Sequence, residues 1–245
     1  MVDEAGIIAQ RIAAIRQRIV AAAARAGRSA DEITLIAVTK THPLDRIEQV
    51  LRAGLRDLGE NRVQEAEEKV GAVDAAGPVR WHLIGHLQRN KARRAVQLFA
   101  MIHSVDNLKL AETLSRVAAE EGAAEPLPIL LQLNVSGEES KEGFALAGGV
   151  RSPQWAEFAA TAARIVALPH LRVQGLMTIA PYSEDIEGVV RPCFRRLREA
   201  RDELARSIPA GDWRHLSMGM SGDFEVAIEE GATLVRVGTA ILGER

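Results

Sequence analysis

The sequence contains a single cysteine, Cys193, and therefore cannot form an internal disulfide or a metal site built from several cysteines. Its formal net charge is only -2, so no overall attraction to nucleic acid or to anionic lipid is expected. No stretch approaches the roughly 20 apolar residues that a membrane span requires. The first residues include Asp3 and Glu4 and contain no continuous apolar segment, unlike a signal peptide. These absences predict a cytoplasmic protein without nucleic-acid or membrane partners.

The chain has 245 residues, of which 47% are hydrophobic and 26% charged, and it is long enough to bury a sizeable core. Near its start, apolar residues recur at steps of three and four, at Ile8, Ile12, Ile15 and Ile19. This spacing predicts an amphipathic helix that ends near Gly27.

After this helix, short apolar runs alternate with segments of helical periodicity. The predicted strands are 33–40, 55–61, 80–86, 101–106, 127–135, 171–180, 213–219 and 232–241. Alternation of strand and helix predicts parallel strands joined by crossover helices. An open doubly wound sheet would carry a G-x-G-x-x-G turn after an early strand, and the sequence has none there. Eight strand units in a chain of this length instead predict an α/β fold, a (β/α)8 TIM-type barrel, as one domain over residues 1–245.

Only the residues LGER follow the last predicted strand, so a final helix of normal length is not expected. We expect the N-terminal helix, which precedes the first strand, to cover the barrel at that place.

Functional sites of such barrels lie at the C-terminal ends of the strands. The polar residues at these ends are Lys40, Asn61, His86, Ser104 or Asp106, Asn134, Thr178, Ser217 and Arg236. Arg236 lies among β-branched residues, where an unpaired guanidinium would be costly. Lys40 follows the apolar run of the first strand, and it is either a solvated strand end or a reactive amine at the barrel mouth.

The segments after the last two strands, SMGMSGD (217–223) and VGTAILG (237–243), consist largely of small residues. In this fold the corresponding loops commonly bind phosphate. Ser221 is the predicted N-cap of a helix that ends before Gly231, and a helix start of this kind offers free N–H groups to an anion. The alternative is an ordinary tight turn with a cap.

Two phosphate-binding loops, an arginine and a lysine at one barrel mouth together indicate pyridoxal 5'-phosphate (PLP), whose aldehyde condenses with a lysine amine. A class I aldolase, in which the lysine reacts with the substrate itself, is the competing interpretation. The aldolase interpretation gives Arg236 a smaller role.

Several long motifs resemble the pyridoxal phosphate homeostasis proteins, also called the proline synthase co-transcribed family. They are AVTKTHP, LGENRVQEAEEK, WHLIGHLQRNK, IHSVDN, LNVSGEESKEGF, GLMTIAP and LSMGMSGDFEVAIEEGATLVRVGTAILG. The resemblance spans nearly the whole chain and implies a barrel like the N-terminal domain of alanine racemase, which is fold type III of the PLP-binding proteins.

The resemblance also implies roles for individual residues. Lys40 would form a Schiff base with PLP, Asn61 would line the site, and Arg236 would face the pyridine nitrogen. Contacts with the phosphate are implied for Ser217, Gly238 and Thr239, with Met218 and Ser221 close by.

The family resemblance implies PLP binding without established catalysis, and the residues favour the same interpretation. A permanently cationic Arg236 disfavours protonation of the ring nitrogen, which weakens the cofactor as an electron sink. A racemase would need two bases, one of them a tyrosine from a second domain. We expect no second domain here, and we expect Tyr182, the one tyrosine of the sequence, to pack within its loop. The prediction is a monomeric intracellular PLP carrier or buffer that supplies PLP-dependent apoenzymes; the alternative is a PLP-dependent amino-acid racemase-like enzyme.

Three further features receive ordinary interpretations. His82 and His86 are too far apart along a strand to bind one metal ion. The basic segment QRNKARRAV is expected to be a solvated helix face. Lys141 is expected to be an exposed loop lysine, although a transient reaction with the aldehyde is an open alternative.

Overall fold

Eight parallel strands form a closed barrel in the computed structural model, which describes residues 4–73 and 77–244. In chain order the strands are β1 (Thr34–Val38), β2 (Asp57–Glu60), β3 (Arg80–Leu83), β4 (Met101–Val105), β5 (Leu127–Asn134), β7 (Leu171–Met177), β8 (His215–Ser217) and β9 (Leu234–Val237). A two-residue strand, β6 (Phe144–Ala145), pairs with β5 outside the barrel. The predicted barrel architecture is therefore confirmed.

The helices lie between these strands and around them. They are α1 (Glu4–Arg25), α2 (Leu44–Arg52), α3 (Val63–Val73), α4 (Ala92–Leu98), α5 (Leu108–Glu120), α6 (Trp155–Val166), α7 (Arg191–Ser207), α8 (Phe224–Glu229) and α9 (Thr239–Leu242). Each predicted helical segment contains one of them. None of the helices in the described residues is both long enough and apolar enough to cross a membrane.

The barrel closes where the first strand meets the last. β1 and β9 pair in parallel from Thr34 opposite Leu234 to Ala37 opposite Val237. On the other side of the barrel β4 pairs with β5, so the ring of strands has no open edge. The C-terminal ends of all eight strands consequently meet at one mouth.

Helix α1 covers the outside of this junction. Its four predicted apolar residues, Ile8, Ile12, Ile15 and Ile19, are at most 4% exposed. The helix packs against α2, α8 and α9, which is the place that a long final helix would otherwise occupy. The predicted role of α1 is confirmed.

The apolar core has two parts. The larger part lies between the strands and the surrounding helices. The smaller part fills the barrel interior and consists of Ile36, Met101, Leu130, Met177 and Leu234. The remaining interior space holds polar side chains, and these lead to the mouth.

Some strands end earlier than predicted. β3 stops at Leu83 rather than at residue 86, because the chain turns where Gly85 packs against Asn61: a Cβ on Gly85 would lie 2.4 Å from the Asn61 carbonyl oxygen. β9 stops at Val237, and the residues that follow form the short helix α9 instead of continuing the strand.

The basic segment around α4 forms ion pairs with acidic residues of neighbouring helices. Arg93 contacts Glu120 and Glu121, and Arg94 pairs with Glu67. Two of the four basic residues of this segment are thus paired with carboxylates, which agrees with the expectation that it is an ordinary solvated surface.

We predict that Ile12→Ala lowers the free energy of unfolding by about 2–5 kcal/mol, because Ile12 is buried where α1 covers the barrel. Val20→Ala on the same helix is the control: Val20 is 55% exposed, and its truncation is expected to change the free energy by no more than about 0.5 kcal/mol. Urea unfolding of both variants measures the difference. Equal effects would show that α1 is not a structural part of the barrel.

Candidate functional site

Arg236 of β9 points into the barrel interior, where its side chain is almost completely buried. It is 4% exposed and lies opposite Ile36 of β1. Its Nη1 donates to the Ser217 hydroxyl over 2.6 Å, and its Nη2 donates to the Thr178 carbonyl oxygen over 2.9 Å. Burial lowers the pKa of Arg236 to about 10, so the guanidinium is still charged at neutral pH.

A line of buried polar side chains continues from Ser217 across the barrel. The Ser217 hydroxyl lies 2.8 Å from Nδ1 of His103, and Nε2 of His103 lies 3.0 Å from Nδ1 of His82. His82 Nε2 lies 3.0 Å from a carboxylate oxygen of Asp57, which also accepts hydrogen bonds from Arg80. We call Asp57, His82, His103 and Ser217 the interior chain. It runs from the first residue of β2 to the guanidinium of Arg236.

The charges of the interior chain follow from its surroundings. Burial lowers the pKa of His103 well below its ordinary value, and the positive charge of Arg236 lowers it further, so its imidazole is neutral at pH 7. Although burial raises the pKa of Asp57, hydrogen bonds from His82 and Arg80 outweigh that effect and the net pKa is lowered. Asp57 is therefore an anion.

The side chain of Ser217 has a different environment from the one predicted for a phosphate ligand. Its hydroxyl lies inside the barrel between His103 and Arg236, and the residue is fully buried. Met218 is also fully buried, and its side chain belongs to the core between strands and helices. Residues two apart on a strand point to the same face, so Ser217, like residue 215, faces the barrel interior. Its hydroxyl therefore binds Arg236 in this structure.

The two small-residue loops after β8 and β9 are linked through Ser221. Thr239 Oγ1 donates to the Ser221 hydroxyl over 3.1 Å, and the N–H of Ala240 donates to it over 3.3 Å. The prediction that Ser221 caps the following helix was wrong: Asp223 is the N-cap of α8, and the Ser221 side chain bonds across to the other loop instead.

These loops present donors that suit an anion. Among residues 4–73 and 77–244, the backbone N–H groups of Ser221, Gly238 and Thr239 donate to no other protein group. Gly219 lets the first loop lie against α8, since it has φ +92° and a Cβ there would lie 2.6 Å from Cβ of Ala227. The donor set, three free N–H groups and the Ser221 hydroxyl, fits a phosphate.

Lys40 lies just beyond the end of β1, and it is half-buried. Ile36 faces the barrel interior, and Lys40 follows four residues later, in the turn directly after the C-terminal end of β1. The next residue, Thr41, has φ +63°. A β-branched residue rarely adopts this conformation, and holding it there costs of order 1–3 kcal/mol.

A network of charged residues holds this strained turn. The Glu65 carboxylate accepts a hydrogen bond from the N–H of Thr41. Lys69 Nζ donates to the Thr39 carbonyl oxygen over 2.8 Å, to Glu60 over 2.8 Å and to Glu65 over 2.6 Å. None of the three charged residues Glu60, Glu65 and Lys69 was predicted from the sequence as part of the site. The i,i+4 spacing of Glu65 and Lys69 in a helix directly after β2 was the available signal.

Glu60 is the most enclosed member of this network. It is 0% exposed, and its Oε2 atom has no hydrogen-bond partner among the described residues. Burial raises the pKa of Glu60, although hydrogen bonds from Lys69 and Thr39 oppose that change. The network therefore places a carboxylate of raised pKa directly beneath the backbone that carries Lys40.

A cavity of about 250 Å³ opens at the mouth on the side of β2, β3, β5 and β7. Its polar lining residues are Asn61, His86, Gln132, Asn134, Ser140, Lys141 and Glu142. The predicted site residue Asn61 thus lies here, whereas the two small-residue loops lie across the mouth. Ligand atoms of His86, Asp106 and Glu142 lie within 4.8 Å of one another.

The two histidines of the WHLIGH motif have separate environments. His82 lies inside the barrel, and His86 lies at the mouth with its Nδ1 3.1 Å from Asp106. The two histidines thus have different hydrogen-bond partners in different parts of the barrel. His86 and Asp106 satisfy each other by this hydrogen bond, and we assign no metal to them.

Two predictions about loop residues were wrong. Tyr182 does not pack within its loop but is 99% exposed. Lys141 is not an exposed lysine: its side chain is 18% exposed and contacts Glu138.

Comparison with known proteins agrees with this architecture. A family model described as "Alanine racemase, N-terminal domain" matches residues 11–245. The pyridoxal phosphate homeostasis protein of Aquifex aeolicus is 43% identical over 237 residues, which cover 96% of this chain and 97% of that protein. The pyridoxal phosphate homeostasis protein of Escherichia coli is 42% identical over 241 residues, covering 97% of each.

A solved structure supports the fold in detail. The structure of PipY from Synechococcus elongatus with PLP bound has a TM-score of 0.82 and 36% sequence identity, and the match covers 96% of this chain and 100% of that one.

We predict that His103 makes the folded state less stable as the pH falls. The unfolded state binds a proton at His103 below about pH 6.5, whereas the buried imidazole does not, so the free energy of unfolding decreases on acidification by at most about 1.4 kcal/mol per pH unit. His103→Gln removes this contribution, and the difference in slope between variant and wild type isolates it. Urea unfolding at several pH values between about 7.5 and 5.5 measures both slopes. Parallel slopes would mean that His103 is protonated in the folded state.

Proposed function

This chain belongs to the family of pyridoxal phosphate homeostasis proteins, and we propose that it binds PLP through a Schiff base with Lys40 and acts in intracellular PLP homeostasis. What supports this proposal is that β1, β8 and β9 are neighbours whose C-terminal ends open at the same barrel mouth. Lys40 follows the end of β1, Arg236 is buried in β9, and the loops around Ser221 and Thr239 follow β8 and β9. A phosphorylated pyridine aldehyde is a ligand that needs all three.

The small-residue loops are proposed to hold the phosphate. Gly238 and Thr239 offer backbone N–H groups, and the hydroxyls of Thr239 and Ser221 lie beside them. Met218 and the backbone of Ser217 are adjacent in sequence. The Ser217 hydroxyl acts on Arg236 rather than on the phosphate in this proposal, because its hydrogen bonds are already made inside the barrel.

Arg236 is proposed to meet the pyridine nitrogen, and Asn61 to line the other side of the site. Two of the hydrogens on Arg236 are used by Ser217 and Thr178, which leaves further N–H groups of its five available to a ligand. When bound, PLP withdraws electrons from a substrate most strongly with its ring nitrogen protonated. A guanidinium beside that nitrogen opposes its protonation because like charges repel.

We propose a carrier or buffer rather than an enzyme. The charge of Arg236 disfavours the electron-withdrawing form of the ring, and Tyr182 is fully exposed to solvent and makes no contact that would fix it as a base. The strained turn at Thr41 and its support by Glu65 and Lys69 favour a fixed position for Lys40. The chain's residues are thus arranged to retain and enclose a reactive aldehyde.

PLP-dependent apoenzymes are the proposed recipients, and the proposed location is the cytoplasm. The single cysteine, Cys193, is buried and free, and burial raises the pKa of its thiol to about 11, so it is unreactive. A chain without disulfides is compatible with a reducing compartment. A monomer is the proposed working form.

We predict that purified wild-type protein mixed with PLP shows the visible absorbance of an imine, and that Lys40→Ala abolishes it. Borohydride reduction followed by peptide mapping is expected to place the label on the peptide that contains Lys40. Lys109→Ala, on the exposed surface of α5, is the control and is expected to keep the wild-type spectrum.

Labelling of the Lys141 peptide in place of the Lys40 peptide would overturn the assignment of the amine. Racemisation of an amino acid at ordinary enzymatic rates by the wild-type protein would instead overturn the carrier proposal and favour the racemase-like alternative.

A second prediction concerns the phosphate loops. Gly219→Ala is expected to raise the PLP dissociation constant about tenfold, because alanine is strained at φ +92° and its Cβ would push the loop away from α8. Gly222→Ala is the matched control, since a Cβ there meets nothing within 4 Å. Fluorescence or absorbance titration with PLP measures both constants. Unchanged binding in Gly219→Ala would show that the phosphate lies elsewhere.

A further inference from the structure

We propose that Asp57, His82 and His103 are positioning residues that act through Ser217 to orient the guanidinium of Arg236. This inference rests on the proposed function in one respect, namely that Arg236 meets the cofactor ring. The interior chain itself is a property of the protein alone. Its four members are at most 5% exposed, and each hydrogen bond between them is 2.8–3.0 Å long.

The two ends of the interior chain determine how every hydrogen in it is placed. A guanidinium has only donors, so the Ser217 oxygen accepts from Arg236. An ionised carboxylate has only acceptors, so His82 donates from Nε2 to Asp57. Neither end can be reversed while Arg236 is a cation and Asp57 is an anion.

The middle of the chain then has one arrangement for neutral imidazoles. Because His82 carries its hydrogen on Nε2, its Nδ1 is an acceptor and receives the hydrogen on Nε2 of His103. Nδ1 of His103 is therefore an acceptor as well, and it receives the hydroxyl hydrogen of Ser217. Both histidines are Nε2–H tautomers.

All the donors consequently point in one direction, from Arg236 toward Asp57. The aligned bonds turn the lone pairs of Ser217 toward the guanidinium, and they polarise one another in a medium of low dielectric constant. The carboxylate at one end of the chain thus sets the orientation of the hydroxyl that the guanidinium meets at the other end. Arg80, whose side chain is 64% exposed, ties Asp57 to the N-terminal rim and fixes the end of the chain.

Other charged groups near the chain do not join it. His215 of β8 lies 3.1 Å from the Thr233 hydroxyl, and Asp212 pairs with Arg214. Asp223 raises the pKa of Arg236 through its charge. No described residue besides His82 and Ser217 forms a hydrogen bond with the ring nitrogens of His103.

A cationic His82 would reverse the direction of the hydrogen bond between the two histidines and would change the tautomer of His103. If His82 were a cation, it would donate from both nitrogens, and His103 would carry its hydrogen on Nδ1 and donate it to Ser217. The Ser217 hydrogen would then point away from the chain. The tautomer of His103 therefore distinguishes the two states directly.

The test is nuclear magnetic resonance of the full chain labelled with 15N histidine, recorded first without PLP. The expected spectrum shows His82 and His103 as neutral Nε2–H tautomers, assigned by His82→Gln and His103→Gln spectra. A cationic His82 or an Nδ1–H tautomer of His103 would overturn the proposal. Since no cofactor is present, this result is independent of PLP binding.

A pair of variants tests the effect on Arg236. Asp57→Ala is expected to raise the PLP dissociation constant about tenfold and to mix the two tautomers of His103, because the charged acceptor that sets their direction is lost. Asp212→Ala is the matched control: it breaks another aspartate–arginine pair near the start of a barrel strand, outside the chain, and less than a twofold change is expected. Equal changes in the two variants would refute the proposal.

Asp57→Asn separates positioning from simple stability. Its amide oxygen can still accept from Nε2 of His82, so the tautomers of both histidines are expected to be retained even if the variant is less stable than wild type. Loss of the tautomers in Asp57→Asn would count against the proposed direction. If wild-type protein fails to bind PLP while its histidines show the expected tautomers, the proposed function fails and the interior chain stands.

Discussion

The parallel pairing of β1 with β9 is the interaction on which the candidate site depends. It brings Lys40, near the start of the chain, to the same mouth as Arg236 and the loop that contains Thr239. Neither strand carries the proposed site alone: Lys40 follows β1, whereas Arg236 lies in β9 and Thr239 follows it. The closure that removes the edges of the sheet thus also brings the residues of the proposed site to one end of the barrel.

Each of these two strands has its own buried polar support. Lys69, Glu60 and Glu65 hold the backbone on either side of Lys40, and the interior chain holds Arg236. Buried charges of this kind contribute little net stability, since desolvation offsets much of their attraction. Their benefit is positional, because a buried group with fixed hydrogen bonds has one orientation. A ligand that must meet an amine, a cation and an anion-binding loop at once requires such fixed partners.

The sequence was sufficient to predict the strands and helices. It did not predict the side-chain contacts between residues that are far apart in the chain. Alternating periodicity identified the eight strands, and the spacing of Ile8 and Ile12 identified the helix that covers the junction, because these signals are local. The left-handed turn at Thr41 and the hydrogen bonds between His82 and His103 join residues from different elements and leave no local pattern. The same limit explains the wrong cap at Ser221, whose hydroxyl bonds to a neighbouring loop.

The position of α1 and β9 has a consequence for the maturation of the protein. Helix α1 packs against α8 and α9, and β1 pairs with β9. During translation α1 and β1 can therefore reach their final contacts only after α8, β9 and α9 have been synthesised. Such long-range pairing costs loop-closure entropy before its stabilising contacts form. The segment that contains Lys40 therefore emerges before the strands that complete the barrel around it, and the mouth is complete only after Thr239 has been added. The proposed binding of an aldehyde at Lys40 accordingly requires the completed barrel.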